Sequence, residues 1–159
     1  MDIRKVKNTD NRVLADLIKT VFEEHHAPKE GTVYSDPVTN RLYEFFRREK
    51  SVLWVAEEEG KVTGCCGIYP TEGLPEGCAE LVKFYISDEA RGKGLGKKFM
   101  ELNIQSALQF GYGKLYLESL PEFANAVSWY EKSGFHRLDH PLGNSGHPSC
   151  TIWMIKDLS

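Results

Sequence analysis

Residues 79–96 read "AELVKFYISDEARGKGLG": an apolar-rich run passes straight into a turn with glycine at every second position, Gly92, Gly94 and Gly96. A strand that turns through glycines into a helix leaves several backbone N–H groups unpaired at the positive end of the helix, which suits a phosphate. Glycine helps twice, by adopting backbone angles that other residues avoid and by removing side chains that would hold a bulky anion away from the amides. Downstream, Leu95, Phe99 and Leu102, with Met100, Ile104 and Ala107, recur at helical spacing, and Gly111 stands where a C-terminal cap belongs. "KLYLES", residues 114–119, then reads as a strand, so the stretch predicts a parallel βαβ unit at the centre of the fold.

The register of the glycines narrows the ligand. A P-loop requires G-x-x-x-x-G-K-S/T, but Lys98 follows Gly96 and Lys97, so the hydroxyl that binds Mg²⁺ is missing. A dinucleotide fingerprint from Gly92 through Gly94 would need glycine or alanine at position 97, which is Lys97. Glu118, about 20 residues on, is where that motif places its ribose-binding acid, and it keeps a dinucleotide reading open.

Outward from this centre, "VLWVAEEEGKVTGCCGIY", residues 52–69, reads as two strands about an acidic turn that ends at Gly60. Residues 3–6 suggest a first strand. Asn8, Thr9 and Asp10 offer caps for a helix whose buried face is Leu14, Leu17, Ile18, Val21 and Phe22. Residues 25–37 read as a mobile loop, followed by a second helix that starts at Asp36 and Pro37 and carries Leu42, Phe45 and Phe46. Toward the end come a helix closed by Gly134, a loop over residues 140–149 and a closing strand, "CTIWMIKDL". The expected architecture is a single α/β (α+β) domain spanning 1–159, with a mixed, mostly antiparallel sheet of about seven strands and about four helices.

A chain of 159 residues with net charge −3 favours no nucleic-acid partner, and no apolar run approaches the roughly 20 residues needed to cross a bilayer. A soluble, cytoplasmic protein is expected, with no membrane partner. Cys65, Cys66, Cys78 and Cys150 form no C-x-x-C pattern and read as buried reduced thiols. The loop histidines His25, His26, His140 and His147 read as surface residues, and no metal is implied.

Arg91, Gly92, Lys93, Gly94, Leu95 and Gly96 match without a gap the Q/R-x-x-G-x-G/A loop of the GNAT family of N-acetyltransferases, which this sequence resembles. The preceding strand is similar to that of the histone-acetylating branch, with the same spacing from its glutamate to the loop. "WYEKSGF" resembles the family's Y-E-K-x-G-F element, and the order of elements matches along nearly the whole chain. The resemblance implies acetyl-coenzyme A as donor, an amine as acceptor, and direct transfer between them. It places the pyrophosphate on the amides of Arg91 to Lys97, and the pantetheine arm beside Phe84, Tyr85 and Ile86. In the family a backbone N–H of this strand polarises the thioester carbonyl, and Phe84 is the matching position.

Two side chains carry the implied chemistry. A protonated amine cannot attack a thioester, so a base must take its proton, and the departing thiolate benefits from a donor. Glu80 matches the family's glutamate base; the alternative is an edge-facing glutamate paired with Lys83 or Lys61. Tyr130 matches the tyrosine acid; the alternative is a packed tyrosine with its hydroxyl at the surface. With an ordinary carboxylate at position 80, loss of the base is expected to tell chiefly at low pH. Phe123 stands where the family carries an asparagine, with Asn125 two residues out of register. Glu23, Glu24 and Glu118 would suit a cationic acceptor, or are ordinary solvated acids. A small amine or amino acid is the leading acceptor; a protein lysine or N-terminus, a non-catalytic acetyl-coenzyme A binder and a dinucleotide module stay open, as does a homodimer.

Overall fold

The computed structural model describes residues 1–158. Glu59 and Gly60 both take positive φ, 52° and 78°, as a two-residue turn between twisted strands requires, and they join β2 (Val52–Glu58) to β3 (Lys61–Tyr69). β1 (Asp2–Lys5) lies antiparallel beside β2, and β4 (Cys78–Ile86) antiparallel beside β3. α3 (Leu95–Gln109) then crosses back so that β5 (Lys114–Ser119) runs parallel to β4, the expected βαβ unit. After α4 (Ala124–Lys132), β6 (His136–Leu138) and β7 (Ile152–Asp157) complete a seven-stranded sheet in the order β1-β2-β3-β4-β5-β7-β6.

The sheet is buried on both faces, which is why its central strands read as near-continuous apolar runs. On one face, Leu95, Phe99 and Ala107 of α3 and Val127 and Tyr130 of α4 pack over Ala79, Leu81 and Leu115. On the other, Leu14, Ile18 and Phe22 of α1 (Asn11–Glu24) pack with Leu42 and Phe46 over Leu53, Val55 and Cys65. Gly111, at φ 91°, ends α3: the Tyr112 N–H reaches back to the Ala107 carbonyl at 2.9 Å and the Gly111 N–H to that of Leu108 at 3.1 Å. Among the described residues no helix is long and apolar enough to cross a membrane.

Two helix expectations are revised. Asp10 does not cap α1. Its carboxylate turns back to accept from the Lys7 N–H at 2.7 Å and from both terminal guanidinium nitrogens of Arg4, at 2.8 and 2.9 Å, tying β1 to the helix start. The second helix is broken in two. Asp36 caps a 3₁₀ turn, Pro37–Asn40, and α2 (Leu42–Phe45) is a single turn. The break falls at Arg41, whose φ of −138° and ψ of 45° lie outside the helical region.

Gly67 in β3 is required by contact. A Cβ there would run into the Val52 carbonyl oxygen and stand 3.0 Å from the Phe46 ring. Because the first obstacle is sheet backbone, Gly67→Ala should cost about 2 kcal/mol, read as a lowered denaturation midpoint. A midpoint equal to that of the wild type would contradict this packing.

Candidate active site

Parallel pairing of β4 with β5 runs only from Cys78 opposite Lys114 to Glu80 opposite Tyr116. Beyond that the strands part. Cys65 faces Tyr85 while Gly67 faces Val82, so β4 carries one extra residue there, and Lys83 adopts φ 56°. Such a bulge bends its strand and sharpens the local twist. The resulting cleft, about 600 Å³, has residues 80–86 on one wall and Leu117, Glu118, Ser119 and Leu120 on the other.

The glycine loop closes one end of the cleft. Gly92 and Gly94 have φ 77° and 82°, and a Cβ at either would meet nothing within 4 Å, so the backbone angle is what selects glycine. The Arg91 N–H donates to the Asp88 carbonyl at 3.2 Å, and the Lys98 N–H to that of Gly94 at 3.2 Å. Between them, residues 92–97 present a row of N–H groups with no backbone acceptor among the described residues, three from the turn and three from the first turn of α3. The row therefore starts one residue later than the sequence suggests. Arg91 braces the loop instead: its Nε donates to the Ile86 carbonyl at 3.0 Å, and its guanidinium pairs with Glu24 at 3.1 Å and Asp88 at 3.3 Å. Gly92, Gly94, Leu95, Gly96 and Lys97 line the cleft, whereas Lys93 is exposed and lies off its wall. Coenzyme A would fit this arrangement, since pyrophosphate needs free amides and a pantetheine arm needs an unpaired strand edge, which β4 offers across Phe84, Tyr85 and Ile86.

Glu80 and Tyr130 both line the cleft. Glu80 is 4% exposed and accepts from the Thr71 hydroxyl at 2.6 Å. Burial pushes its carboxyl up to about 7; the Thr71 bond opposes the shift and the nearby charge of Glu118 adds to it. Neither salt bridge considered from the sequence forms, for Lys61 pairs with Glu89 and Lys83 has no ion-pair partner among the described residues. Tyr130 packs its ring against Phe84 and Phe135, with centroids at 6.0 and 5.8 Å, and its hydroxyl has no hydrogen-bond partner among the described residues. Burial raises this phenol well above its ordinary range, so it keeps its proton at any working pH. The cleft thus holds a carboxyl that ionises near neutrality and a phenol that does not.

The far end departs most from the sequence reading. Residues 25–37 are tied down. The Thr32 hydroxyl donates to the Lys29 carbonyl at 2.8 Å, and the loop between β6 and β7 docks on this segment through Ser149, whose N–H donates to Gly31 and whose hydroxyl donates to Glu30. His147 is no surface residue; it meets Asp36 at 2.8 Å, and burial lowers its tendency to carry a proton. Glu23 accepts from the Tyr34 hydroxyl and Glu24 pairs with Arg91, so neither forms the cleft wall. Glu118 does, held by the hydroxyls of Tyr116 and Ser145, each at 2.6 Å. Phe123 and Asn125 both reach the wall, the former packed on Phe22 and His25. Cys65, Cys66 and Cys78 are buried free thiols, while Cys150 is half-buried on the wall. Sequence reasoning missed Phe22, Thr71 and Cys150 as parts of the site. No local motif marks them; topology alone brings them to it.

The chain belongs to the acetyltransferase (GNAT) family, whose sequence model matches residues 18–135, and it is an acyltransferase of that family. It is 33% identical over 157 residues to the uncharacterized N-acetyltransferase YjgM of Escherichia coli strain K12, covering 98% of this chain and 94% of that one. The fold is shared with a GNAT-family acetyltransferase from Staphylococcus aureus Mu50 (TM-score 0.84, 17% identity, 99% of each chain). It is shared also with an aminoglycoside 6'-N-acetyltransferase complexed with coenzyme A (TM-score 0.70, 16% identity, 100% of this chain and 98% of that one).

Proposed function

We propose that the protein transfers the acetyl group of acetyl-coenzyme A directly to the primary amine of a small molecule or amino acid. One observation carries this reading: a single cleft has a row of free amides over residues 92–97 at one end and a buried carboxyl, Glu80, that ionises near pH 7. The amide row suits the pyrophosphate, and the unpaired β4 edge at Phe84, Tyr85 and Ile86 suits the pantetheine arm. Acetyl-coenzyme A supplies an activated acyl group and a thiolate able to leave. Glu80, ionised above about pH 7, takes a proton from the acceptor ammonium and so frees the lone pair for attack. As the C–N bond forms and the C–S bond breaks, Tyr130 donates its proton toward the sulfur. The docking of residues 140–149 on residues 25–37 limits the acceptor end and supports a small acceptor over a protein segment.

The test follows release of the coenzyme A thiol while amines, amino acids and peptides are screened. Release with small amines, and little with peptides, is the expected result. Tight binding of NADH with none of acetyl-coenzyme A would overturn the reading. Tyr130→Phe keeps the ring packing and loses only the donor, so turnover should fall about tenfold or more with acetyl-coenzyme A binding retained. Unchanged turnover would remove Tyr130 from the mechanism.

A further inference from the structure

Among the described residues, Lys83 is the one lysine or arginine on the cleft wall that does not belong to the glycine loop. It is 6% exposed, yet its Nζ makes no hydrogen bond or ion pair among the described residues; its neighbour is the Phe45 ring, 5.9 Å from the ammonium to the centroid. The acids that share its surroundings are all engaged elsewhere. Asp36 holds His147 and the Val38 N–H, Glu118 accepts from Tyr116 and Ser145, and Glu80 accepts from Thr71. Burial accordingly pushes the Lys83 ammonium down, with Asp36 and Glu80 opposing.

A buried cation without a partner is costly, and the usual remedy is an opposite charge with good geometry. Here the bulge in β4 creates the arrangement. Ala79 and Leu81 pack on the α3 face, which leaves Glu80 to the opposite one. The extra residue then turns Lys83 to that same face, toward Phe45 and Asp36. A base for an ammonium and a vacant cation for an anion therefore lie three residues apart on one strand.

Building on the amine-acetyltransferase reading above, we propose that Lys83 receives a carboxylate of the acceptor, so that the amine acetylated belongs to an amino acid or other amino-carboxylate. The carboxylate completes the Lys83 site while the ammonium faces Glu80. Neutral or polycationic amines lack the group that Lys83 calls for.

The experiment compares matched acceptors, each free amino acid against its own carboxamide, by initial rates of coenzyme A thiol release. Wild type should prefer the carboxylate member of a reactive pair by about tenfold or more in kcat/KM, as a charge-assisted hydrogen bond would give. In Lys83→Met, which keeps the aliphatic stem, the preference should collapse toward unity, mainly through the acceptor KM. Equal or better rates with carboxamides in the wild type overturn the assignment and leave the acetyltransferase reading intact, and this arm needs no variant. A preference that survives in Lys83→Met overturns it too. If acetyl-coenzyme A binds but no amine of any kind releases thiol, the amine-transfer reading falls, and this inference with it.

Discussion

Glu80→Gln is expected to lower kcat/KM by roughly 10²-fold at pH 8, with the deficit shrinking as the pH falls below 7. An ordinary carboxylate would stay ionised down to about pH 4 and would matter most in acid, where the amine holds its proton hardest. Burial changes this. With its carboxyl pushed up to about 7, Glu80 is itself protonated in mild acid, so the wild type loses its base there and approaches the variant. The largest gap therefore lies between pH 7 and the acceptor's own pKa, above which no base is needed. Stability should move the other way. The folded-state value lies above the ordinary 4.5, so the contribution of Glu80 is most favourable below pH 4.5 and is lost as the pH rises to about 7. Glutamine has no such dependence and can still accept from Thr71. At pH 8 the variant should thus be the more stable protein, by up to about 3 kcal/mol, with the advantage shrinking toward pH 5. Equal rates at pH 8 would remove Glu80 as the base. Equal stability at both values would mean that its carboxyl is not held near 7.

What was legible in the sequence follows from the range of the interactions. The glycine turn, the α3 stripe, the Glu59-Gly60 hairpin and the Gly111 cap are written within a few residues, so strand, helix and turn emerge with their order intact. The second helix reads longer than it is because its stripe of Leu42, Phe45 and Phe46 is real, with Leu42 and Phe46 buried, while nothing in the sequence marks the turn of the backbone out of the helical region at Arg41. The glycine-loop end of the candidate site is legible for the same reason as the fold, since backbone amides at a glycine turn need no distant partner. The opposite end is not. Lys83 reads only as a salt-bridge partner for Glu80, and only the β3–β4 register inserts the residue that turns it inward. His147 and Asp36 lie 111 residues apart, and nothing local to either announces the other. The raised carboxyl of Glu80 likewise needs β5, which pairs Tyr116 beside it and brings Glu118 near.

Gly94→Asp should separate donor binding from folding. Position 94 has φ 82° at the start of α3, and aspartate is among the few residues that tolerate this region. A Cβ there meets nothing within 4 Å, and a negative charge beside the first turn is favourable to the helix dipole. Thermal stability should therefore stay within about 1 kcal/mol of the wild type. The same carboxylate would stand among the free amides of residues 92–97, opposing any phosphate and competing for its donors. Acetyl-coenzyme A should bind about 100-fold more weakly, or roughly 2.7 kcal/mol, with part of the loss recovered at high salt as the repulsion is screened. Gly94→Asn adds nearly the same bulk without the charge and should cost about tenfold. That ordering, charge above bulk at constant stability, is what an anion seated on the amide row requires. Wild-type affinity in Gly94→Asp would place the pyrophosphate elsewhere, and an equal loss in both variants would assign the glycine a steric role alone.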